Sequence, residues 1–429
     1  MNGDPLTHGL WEASAPAAPV TSALAEDTSV DVAIVGAGYT GTSAALHLAE
    51  AGARVAVLEA QEIGYGASGR NVGLVNAGMW VMPSVLIERL GNVYGERLLA
   101  LLGDAPGVVF DLIAKHGIEC DAVRHGTLHC AVGSRGLAEI EARARQWHER
   151  DAPVEVLDKR RTSELTGTTA YAGALLDRRA GTIQPLAYVR GLAAAAMRAG
   201  AGVFTQTPVT HASRSGATWK LATGTGAFVE ADWVIVATDV YARSDGVWPG
   251  VEREQVRLPY FNIATAPLPP HIAREILPAR HGAWDTRRVL SSFRVDAAHR
   301  LVFGSVGALS GAGRAIHGDW ARRAIAKLFP QLRDIPFEHA WYGTIGMTAD
   351  ALPRFHELDR NVVSFSGFNG RGIAPGTVLG RELARFVLNL TGVQALPLPG
   401  TRVAAVPWRR MRALGYEAGA RALHLASRC

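Results

Sequence analysis

The chain has 429 residues, of which 48% are apolar and 19% are charged. This composition is typical of a folded protein with two or more structural units, and it excludes a disordered chain. The formal net charge is +5, and segment 401–429 alone holds six arginines against one glutamate, which leaves +5. The rest of the chain is therefore close to neutral, which argues against a nucleic-acid-binding surface.

Targeting signals are not evident in the sequence. No apolar run approaches the roughly 20 residues that span a bilayer, and "MNGDPLTHGLWEASAPAAP" has neither the basic start nor the apolar stretch of a secretion signal. Cys120, Cys130 and Cys429 form no CxxC pair, which indicates a reducing compartment. We therefore expect a cytoplasmic protein.

The first predicted elements form a strand–helix–strand unit. Val32–Val35 and Val55–Leu58 are short apolar runs typical of buried strands, and Ser43–Glu50 has helical composition. A G-x-G-x-x-G turn follows the first strand and consists of Gly36, Ala37, Gly38, Tyr39, Thr40 and Gly41. This setting predicts a dinucleotide site, because the turn brings bare backbone and a helix N-terminus to the pyrophosphate.

Glu59 ends the second predicted strand, 18 residues after Gly41. An acid at this place accepts hydrogen bonds from ribose hydroxyls and disfavours a 2′-phosphate. We therefore expect Glu59 and its neighbour Ala60 to contact a nucleotide other than NADP. The turn by itself does not distinguish NAD from FAD.

A second glycine-rich stretch, "GYGASGRNVGLVNAG", runs from Gly64 to Gly78 and holds five glycines. A flexible loop is one interpretation. The compact mixture of bare backbone and polar donors favours another, a surface that approaches a phosphate chain and a flat polar ring. The residues predicted to form that surface are Gly66, Ala67, Ser68, Gly69, Arg70, Asn71, Gly73 and Leu74.

The middle of the chain alternates between helical and strand patterns. Residues 84–116 are predicted as helices, 186–203 as a further helix and strand, and 233–237 as a buried strand. Residues 255–310 are predicted mainly as strands, with a turn at "DAAHR". Elements of the dinucleotide-binding type thus stand at the start, middle and end of the chain, which predicts two interleaved domains.

The last motif is "GFNGRGIAPG", Gly367–Gly376, with four glycines and one arginine. It lies between a predicted strand, Asn361–Ser366, and a predicted helix, Thr377–Leu390. Such a bare, positively charged turn in front of a helix suits an anionic or electron-rich ligand.

Together these motifs resemble the D-amino-acid oxidase superfamily of FAD enzymes over nearly the whole chain. "GASGRNVG" is similar to the family's G-A-S-G-R-N-G-G, with Val72 in place of a glycine. "VIVATDVYA" resembles V-V-x-A-T-N-A, and "GTIGMTADALPRF" resembles G-x-x-x-x-T-x-D-x-x-P. "GFNGRGIAPG" resembles G-x-x-G-H-G, with Arg371 where many relatives carry histidine. The most similar branch holds L-pipecolate, γ-glutamylputrescine, glycine and sarcosine oxidases.

The resemblance implies an α/β fold of the glutathione-reductase-like type. A Rossmann-like FAD-binding domain is expected to be interleaved with a substrate domain built on a mixed or antiparallel sheet. The expected division is an N-terminal arm at 1–28, FAD-binding segments at 29–85, 180–245 and 340–429, and substrate segments at 86–179 and 246–339.

The resemblance also implies further FAD contacts, namely Val209, Ala237, Thr238, Gly370, Arg371, Gly372, Ile373 and Ala374. Some sarcosine oxidases attach the flavin to a cysteine shortly before the last turn, whereas this chain has "WYGT" there. We therefore expect noncovalent FAD. No histidine spacing typical of a metal site is present, so no metal is predicted.

Five residues are candidates for the substrate end of the site. Arg371 is expected near N1 and the C2 carbonyl of the flavin, where positive charge favours reduction; the alternative is that it caps a surface loop. Arg294 is a candidate for pairing with a substrate carboxylate, or else for a structural ion pair. Tyr260, Trp341 and Asn369 are candidates for the cavity wall, or for plain packing.

The implied reaction is oxidation of an amine to an imine by hydride transfer to flavin N5. L-Pipecolate is the first choice of substrate, and γ-glutamylputrescine or an N-methyl amino acid is the alternative. An FAD-dependent tRNA-modifying enzyme and a flavin-binding protein without activity are rivals from other classes. Oxygen and a quinone-linked carrier are both open as electron acceptors, as is the oligomeric state.

The C-terminal segment has a helical stripe of Trp408, Met411, Leu414 and Ala418 beside clustered arginines. The simpler interpretation is a helix that packs on its own domain through this stripe. The alternative is a peripheral contact with the inner face of the cell membrane, with arginines on anionic headgroups and Trp408 at the interface.

Overall fold

The computed structural model describes residues 7–242 and 246–427. The strands in these ranges are β1 Thr28–Val35, β2 Val55–Leu58, β3 Leu74–Val75, β4 Thr127–Ala131, β5 Val154–Leu157, β6 Gly173–Asp177, β7 Gly181–Thr182, β8 Gly202–Phe204, β9 Val209–Ser215, β10 Thr218–Thr223, β11 Phe228–Val236, β12 Val256–Thr265, β13 Gly282–Asp285, β14 Ser291–Val295, β15 Leu301–Val306, β16 Phe337–Met347, β17 Arg354–Asp359 and β18 Val362–Ser366. The helices are α1 Leu10–Ser14, α2 Tyr39–Glu50, α3 Pro83–His116, α4 Gly133–His148, α5 Lys159–Thr166, α6 Pro185–Arg198, α7 Gly250–Arg253, α8 Pro270–Ala273, α9 Ala312–Leu328, α10 Ile373–Val387 and α11 Arg409–Ala426.

The first large sheet has the order β17-β18-β11-β1-β2-β8, and the hairpin of β9 and β10 extends from β11. β1 runs parallel to β11 and β2, β2 runs parallel to β8, and β11 runs parallel to β18. Every residue of β2 is buried, as expected for a parallel strand covered on both faces. The β1–α2–β2 unit predicted from the sequence is therefore confirmed.

The second large sheet has the order β16-β12-β15-β14-β13-β4-β6-β5. Its pairings are antiparallel except for β13 with β4. β14 and β15 form the hairpin whose turn was predicted at "DAAHR". A parallel sheet and a largely antiparallel sheet in one chain confirm the predicted α/β fold class.

The range 340–429, predicted to lie wholly in the FAD-binding part, contacts both sheets. β16 begins at Phe337 and pairs with β12 of the second sheet, whereas β17 and β18 complete the first sheet. α11 packs on β12 and α9. The exact borders between the two domains stay a prediction.

Helix α10 begins four residues before the predicted start at Thr377. Its first turn contains Pro375, which a helix tolerates there because the amide it lacks would have no intrahelical partner. α10 also crosses α2 closely, since a Cβ atom at Gly380 would lie 2.5 Å from the carbonyl oxygen of Thr40. The early start places the N-terminus of α10 directly after Arg371.

Helix α11 does not pack through the predicted apolar stripe, so that interpretation was wrong. Trp408 is 76% exposed, Met411 65% and Leu414 70%. The buried face holds Ala420 and His424 instead.

Polar and aromatic contacts select that face of α11. The ring of His424 stacks on Trp320 at 3.8 Å, and its Nδ1 lies 2.7 Å from Nδ1 of His317. Glu417, on the same side, lies 3.2 Å from His317 Nε2. A pattern of apolar residues alone cannot identify the buried face of α11, because such a pattern treats histidine and glutamate as solvent-facing.

Candidate active site

A cavity of about 510 Å³ is lined by residues from both large sheets. Most residues predicted to bind the cofactor line it: Gly36, Gly38, Tyr39, Thr40, Glu59, Ala60, Gly66, Ala67, Ser68, Arg70, Asn71, Leu74, Val209, Ala237, Thr238, Gly370, Arg371, Gly372, Ile373 and Ala374. Tyr260 and Asn369 line it as well. The N-termini of α2 and α10 both reach this cavity, and each presents free amides to an anionic ligand.

Four predicted cofactor residues lie behind the cavity wall. A Cβ atom at Gly41 would overlap the carbonyl oxygen of Gly36, and one at Gly73 would overlap that of Ile183. At Gly69 a Cβ atom would lie 2.6 Å from the ring of His8. The amide of Ala37 donates to Glu59 Oε2 at 2.8 Å. These residues shape the wall without lining it.

Glu59 stands at the carboxyl end of β2 and lines the cavity. Its Oε2 accepts from the Ala37 amide, and its Oε1 accepts from the Gln61 amide at 2.9 Å. Burial raises the pKa of the carboxyl, and the backbone hydrogen bonds partly oppose that rise. A fixed carboxylate at this place suits the ribose hydroxyls of a dinucleotide.

Hydrogen bonds hold the 64–74 loop over the start of α2. Ser68 Oγ accepts from the Tyr39 amide at 3.1 Å, and the Tyr39 hydroxyl donates to the Ser68 carbonyl at 2.7 Å. Asn71 Nδ2 donates to the Tyr39 hydroxyl at 3.1 Å. A Cβ atom at Gly38 would come within 2.9 Å of Ser68 Oγ, so glycine allows the loop to lie directly on the turn.

Trp341 does not line the cavity, so the alternative of plain packing is the one that fits it. It is fully buried, and its Nε1 donates to the carbonyl of Arg70 at 3.1 Å. Nδ2 of Asn262 donates to the same carbonyl at 2.9 Å. The side chain of Trp341 packs edge-on against Trp11. It lies behind the 64–74 loop, to which it is hydrogen-bonded at Arg70. Its contribution is to position Arg70.

Arg294 also fails to reach the cavity. It is fully buried, donates to the Ile183 carbonyl, and pairs with Asp121 at 3.1 Å. Ser292 on the same strand does line the cavity. Arg294 lies roughly 7 Å further along β14, behind Gly73. The alternative interpretation, a structural ion pair, is therefore the one that fits.

The part of the cavity lined by the second sheet was mostly missed by the sequence analysis. Tyr260 on β12 and Ser292 on β14 face each other there, with their hydroxyl oxygens 2.6 Å apart. Trp80 and Trp284 add two aromatic walls. Strand alternation in "SSFRV" offered a weak signal for Ser292, but no local pattern marks Trp80 or Trp284.

The guanidinium of Arg371 packs against both of these tryptophans, whose rings lie at 83° to each other. Its guanidinium carbon lies 4.7 Å from the ring centroid of Trp80 and 5.1 Å from that of Trp284. Nη1 donates to the carbonyl of Ala77 at 2.8 Å. Burial, followed by the charge of Arg143, lowers the pKa of Arg371 to about 9. The side chain lies inside the protein, so it does not cap a surface loop.

Asn369 has a structural side chain. Its Oδ1 accepts from the Thr348 amide at 2.8 Å, and its backbone has a φ of 53°. Asparagine tolerates this left-handed conformation better than most residues. The side-chain amide of Asn369 is occupied by hydrogen bonds within the turn. Asn369 therefore stabilises the turn that lines the cavity and has no side-chain group left for a ligand.

The residues present fit a dinucleotide with a flat ring. Two helix N-termini, a ribose-directed acid and a glycine-rich wall meet in one cavity, and the buried Nε atoms of Arg70 and Arg371 have no partner. Cys120 and Cys130 are buried outside the cavity wall, and Cys429 lies outside the described residues. Within the described ranges, no cysteine or histidine lines the cavity.

One group of potential metal ligands occurs in the described part of the chain, and none of its members lines the cavity. His8, Glu12 and Glu62 bring one ligand atom each to within 4.8 Å of one another. Arg190 already pairs with Glu12 at 2.8 Å, and both acids are about half exposed. The prediction that the protein needs no metal stays a prediction.

Residues 31–386 match the family model described as FAD dependent oxidoreductase, DAO. The chain belongs to this family. Along its sequence it is 32% identical over 430 residues to gamma-glutamylputrescine oxidoreductase of Escherichia coli strain K12, with 96% of this chain and 97% of the relative covered.

Two solved structures are similar in fold. Glycine oxidase from Geobacillus kaustophilus has a TM-score of 0.67 at 22% identity, covering 84% of this chain and 95% of the other. L-Proline dehydrogenase from P. horikoshii has a TM-score of 0.69 at 15% identity, covering 86% and 95%. At such low identity these two likenesses support the fold alone.

The protein is thus an FAD-dependent oxidoreductase. The resemblance to this family and the FAD prediction are confirmed. L-Pipecolate as first choice of substrate gains no support from these comparisons, and the alternative, γ-glutamylputrescine, agrees better with the relative from Escherichia coli.

Proposed function

We propose that the protein oxidises a linear amine of the γ-glutamylputrescine type at the carbon beside its terminal amino group. The main support is one continuous cavity that joins the ribose-directed Glu59 to an aromatic chamber around Trp80, Trp284 and Tyr260. FAD, when bound, supplies the acceptor for the hydride. The likeness to gamma-glutamylputrescine oxidoreductase over 96% of the chain supports the substrate class.

The chain's own residues orient the amine in its uncharged form. Among the described residues, the carboxylates that line the cavity are Glu59 and Asp239. Glu59 accepts from two backbone amides, and Asp239 accepts from the Gly367 amide at 2.8 Å. No free carboxylate therefore stabilises an ammonium group beside Tyr260, which favours the neutral amine that hydride loss requires.

The Tyr260–Ser292 pair is the polar feature of the chamber. Burial raises the pKa of Tyr260, so its hydroxyl stays protonated. Two neutral hydroxyls 2.6 Å apart can donate to or accept from a substrate amine without adding charge. They therefore orient the substrate, and no side-chain nucleophile is needed.

The test is bleaching of the flavin without oxygen. FAD-loaded protein is mixed with γ-glutamylputrescine, putrescine, sarcosine, glycine or L-pipecolate, and the loss of flavin absorbance is followed. We expect fast bleaching by γ-glutamylputrescine and slow or no bleaching by the others. Fastest bleaching by L-pipecolate or sarcosine would contradict the substrate assignment, and bleaching by none would contradict amine oxidation.

Noncovalent FAD is the second part of the proposal. It is supported by a cavity wall that, in the described ranges, holds no cysteine or histidine to attach a flavin. Acid precipitation is expected to release all yellow colour into the supernatant. Colour that stays with the precipitated chain would contradict it.

We also propose a peripheral contact of α11 with an anionic membrane, which would favour a quinone-linked acceptor over oxygen. Trp408, Met411 and Leu414 are exposed, and the exposed Arg410 and Arg412 beside them have no acidic partner among the described residues. No helix within residues 7–242 and 246–427 is long and apolar enough to cross a bilayer.

Co-sedimentation with vesicles tests this contact. The full chain is compared with a Met411→Glu, Leu414→Glu variant on vesicles of phosphatidylglycerol and phosphatidylcholine at low and high salt. We expect the wild-type chain alone to sediment, and less so at high salt. Equal, negligible sedimentation of both proteins would leave the protein without a membrane contact.

A further inference from the structure

Arg371 is a buried cation that forms no ion pair within residues 7–242 and 246–427. Its residue is 8% exposed and lines the cavity. Asp177 attracts the charge of Arg371, but no carboxylate of residues 7–242 or 246–427 lies within ion-pair distance of it. The one hydrogen bond of its guanidinium runs from Nη1 to the carbonyl of Ala77. A buried charge of this kind is costly unless an anion arrives.

A second buried cation increases this local excess of positive charge. Arg143 is 9% exposed, and its guanidinium donates only to carbonyls, to Trp80 at 2.7 Å and to Val81 at 3.3 Å. Arg294 provides the contrast, since it is fully buried but is paired with Asp121 at 3.1 Å. Arg294 thus has an acid as its partner, whereas Arg371 has none among the described residues.

The surroundings of Arg371 indicate which anion is missing. Although Arg371 follows the first sheet in sequence, its side chain contacts Trp80 and Trp284. Trp284 lies on β13 in the sheet that also carries Tyr260 and Ser292. The guanidinium therefore faces the aromatic chamber where the substrate is proposed to bind, rather than the turn of glycines from which it projects.

We infer that Arg371 determines specificity by receiving a carboxylate of the substrate, at the end of the molecule opposite the reacting amine. This inference rests on the proposed function, because a γ-glutamylated diamine carries a carboxylate at one end and a primary amine at the other. Two indole rings that lie at 83° to each other both contact the guanidinium, and its Nη2 edge, which has no partner in the described chain, is left for the carboxylate.

The experiment measures binding without turnover. The probe is the γ-butylamide of glutamate, which keeps the carboxylate and lacks the terminal amine, and its partner is the same compound with the carboxylate changed to a carboxamide. Dissociation constants are read from the flavin absorbance difference in FAD-loaded wild type, Arg371→Met and Arg371→Lys. Arg322→Met is the matched control, since Arg322 also stacks on an aromatic ring, Phe337, at 4.6 Å but away from the cavity.

We expect wild type and Arg322→Met to bind the carboxylate about 10- to 100-fold more tightly than the carboxamide, as for loss of a hydrogen bond between charged groups. Arg371→Met is expected to lose this preference, and Arg371→Lys to keep part of it. The carboxylate and carboxamide compounds, each measured with wild type and with Arg371→Met, form a double-mutant cycle that isolates the contact between the carboxylate and Arg371.

Several outcomes would overturn the inference. Equal binding of the two compounds to wild type would overturn it. This comparison needs no variant, so it holds even if Arg371→Met does not retain FAD. An unchanged preference in Arg371→Met would also overturn the inference. A lower flavin midpoint potential with equally slower reduction by putrescine and γ-glutamylputrescine would assign Arg371 to the flavin instead. If the preference is found but no amine bleaches the flavin, the carboxylate site stands and the proposed oxidation fails.

Discussion

The two halves of the cavity are built in different ways. The nucleotide half consists of backbone amides and glycines from short contiguous motifs, at 36–41 and 64–74, and of the acid Glu59. The half in which we propose that the substrate binds, called the substrate half, consists of side chains from four distant parts of the chain, Trp80, Tyr260, Trp284 and Arg371. Recognition by backbone depends on residues that have no side chain to block the ligand. Recognition by side chain depends on which residues the fold brings together.

The difference predicts how each half fails. A substitution in the nucleotide half disturbs the main chain and therefore removes the cofactor. A substitution in the substrate half removes one contact and leaves the fold and the cofactor in place. The following variants test this contrast, beginning with the largest effect.

Gly41→Ala is expected to prevent formation of FAD-loaded protein. The new Cβ atom would overlap the carbonyl oxygen of Gly36, which is backbone and cannot rotate away. The measurement is the ratio of FAD to protein together with the thermal midpoint. Gly392→Ala is the control, because a Cβ atom there meets nothing within 4 Å; normal FAD content in Gly41→Ala would contradict the packing role.

Arg294→Met is expected to lower the free energy of unfolding by about 3 kcal/mol, the cost of breaking a buried ion pair. Asp121 keeps a second partner in Arg280, at 2.6 Å, which limits the loss. Denaturant unfolding gives the value. Substrate affinity should be unchanged in the folded fraction. A variant of normal stability with weakened substrate binding would contradict the structural role and support a role of Arg294 in substrate binding.

FAD affinity is expected to fall as the solution is acidified, and Glu59 is the reason. Burial raises the pKa of this carboxyl, and only the ionised form accepts from both ribose hydroxyls. Affinity is therefore full above that raised pKa and declines as pH falls through it. Fluorescence titration of FAD into apoprotein at neutral and mildly acidic pH measures the decline.

Glu59→Gln provides the check on this assignment. It is expected to bind FAD about tenfold more weakly at neutral pH, as for loss of a hydrogen bond to a charged group, and to show a flatter pH dependence. A Glu59→Gln protein with the same pH dependence as wild type would show that another group titrates.

Tyr260→Phe is expected to have the smallest effect. It removes the hydrogen bond to Ser292, worth about 1 kcal/mol, and leaves the ring that forms the wall. We expect roughly a fivefold loss in kcat/KM for the best amine with FAD content and unfolding midpoint unchanged. Loss of FAD from this variant would contradict the expectation that substitutions in the substrate half leave the cofactor in place.

Sequence patterns predicted the nucleotide half well, for a local reason. A G-x-G-x-x-G turn, a β-strand before it and Glu59 after the next strand lie within about 30 residues. The strand and helix periods then determine their positions relative to one another, so the geometry follows from spacing. The same local logic placed β2 correctly at Val55–Leu58.

Sequence patterns left the places of two residues open and misjudged the tail, and all three features depend on distant partners. Arg294 was a candidate for the substrate site, but Asp121 and the Ile183 carbonyl hold it behind Gly73. Trp341 was another, but it hydrogen-bonds the carbonyl of Arg70. The tail stripe of α11 was expected to be buried, but His317 and Trp320 select the opposite side of the helix.

By itself the sequence determined the fold class, the FAD-binding motifs and the family, because each is encoded by residues close together along the chain. Only the tertiary structure decided which cation enters the aromatic chamber. Arg294 lies within β14 and Arg371 follows β18 in a glycine-rich turn, and both are buried, but neither local sequence identifies the partner of its guanidinium. The difference is that Asp121 meets Arg294, whereas Trp80 and Trp284 meet Arg371. Such partners come from more than 80 residues away, and only folding of the whole chain brings them into contact.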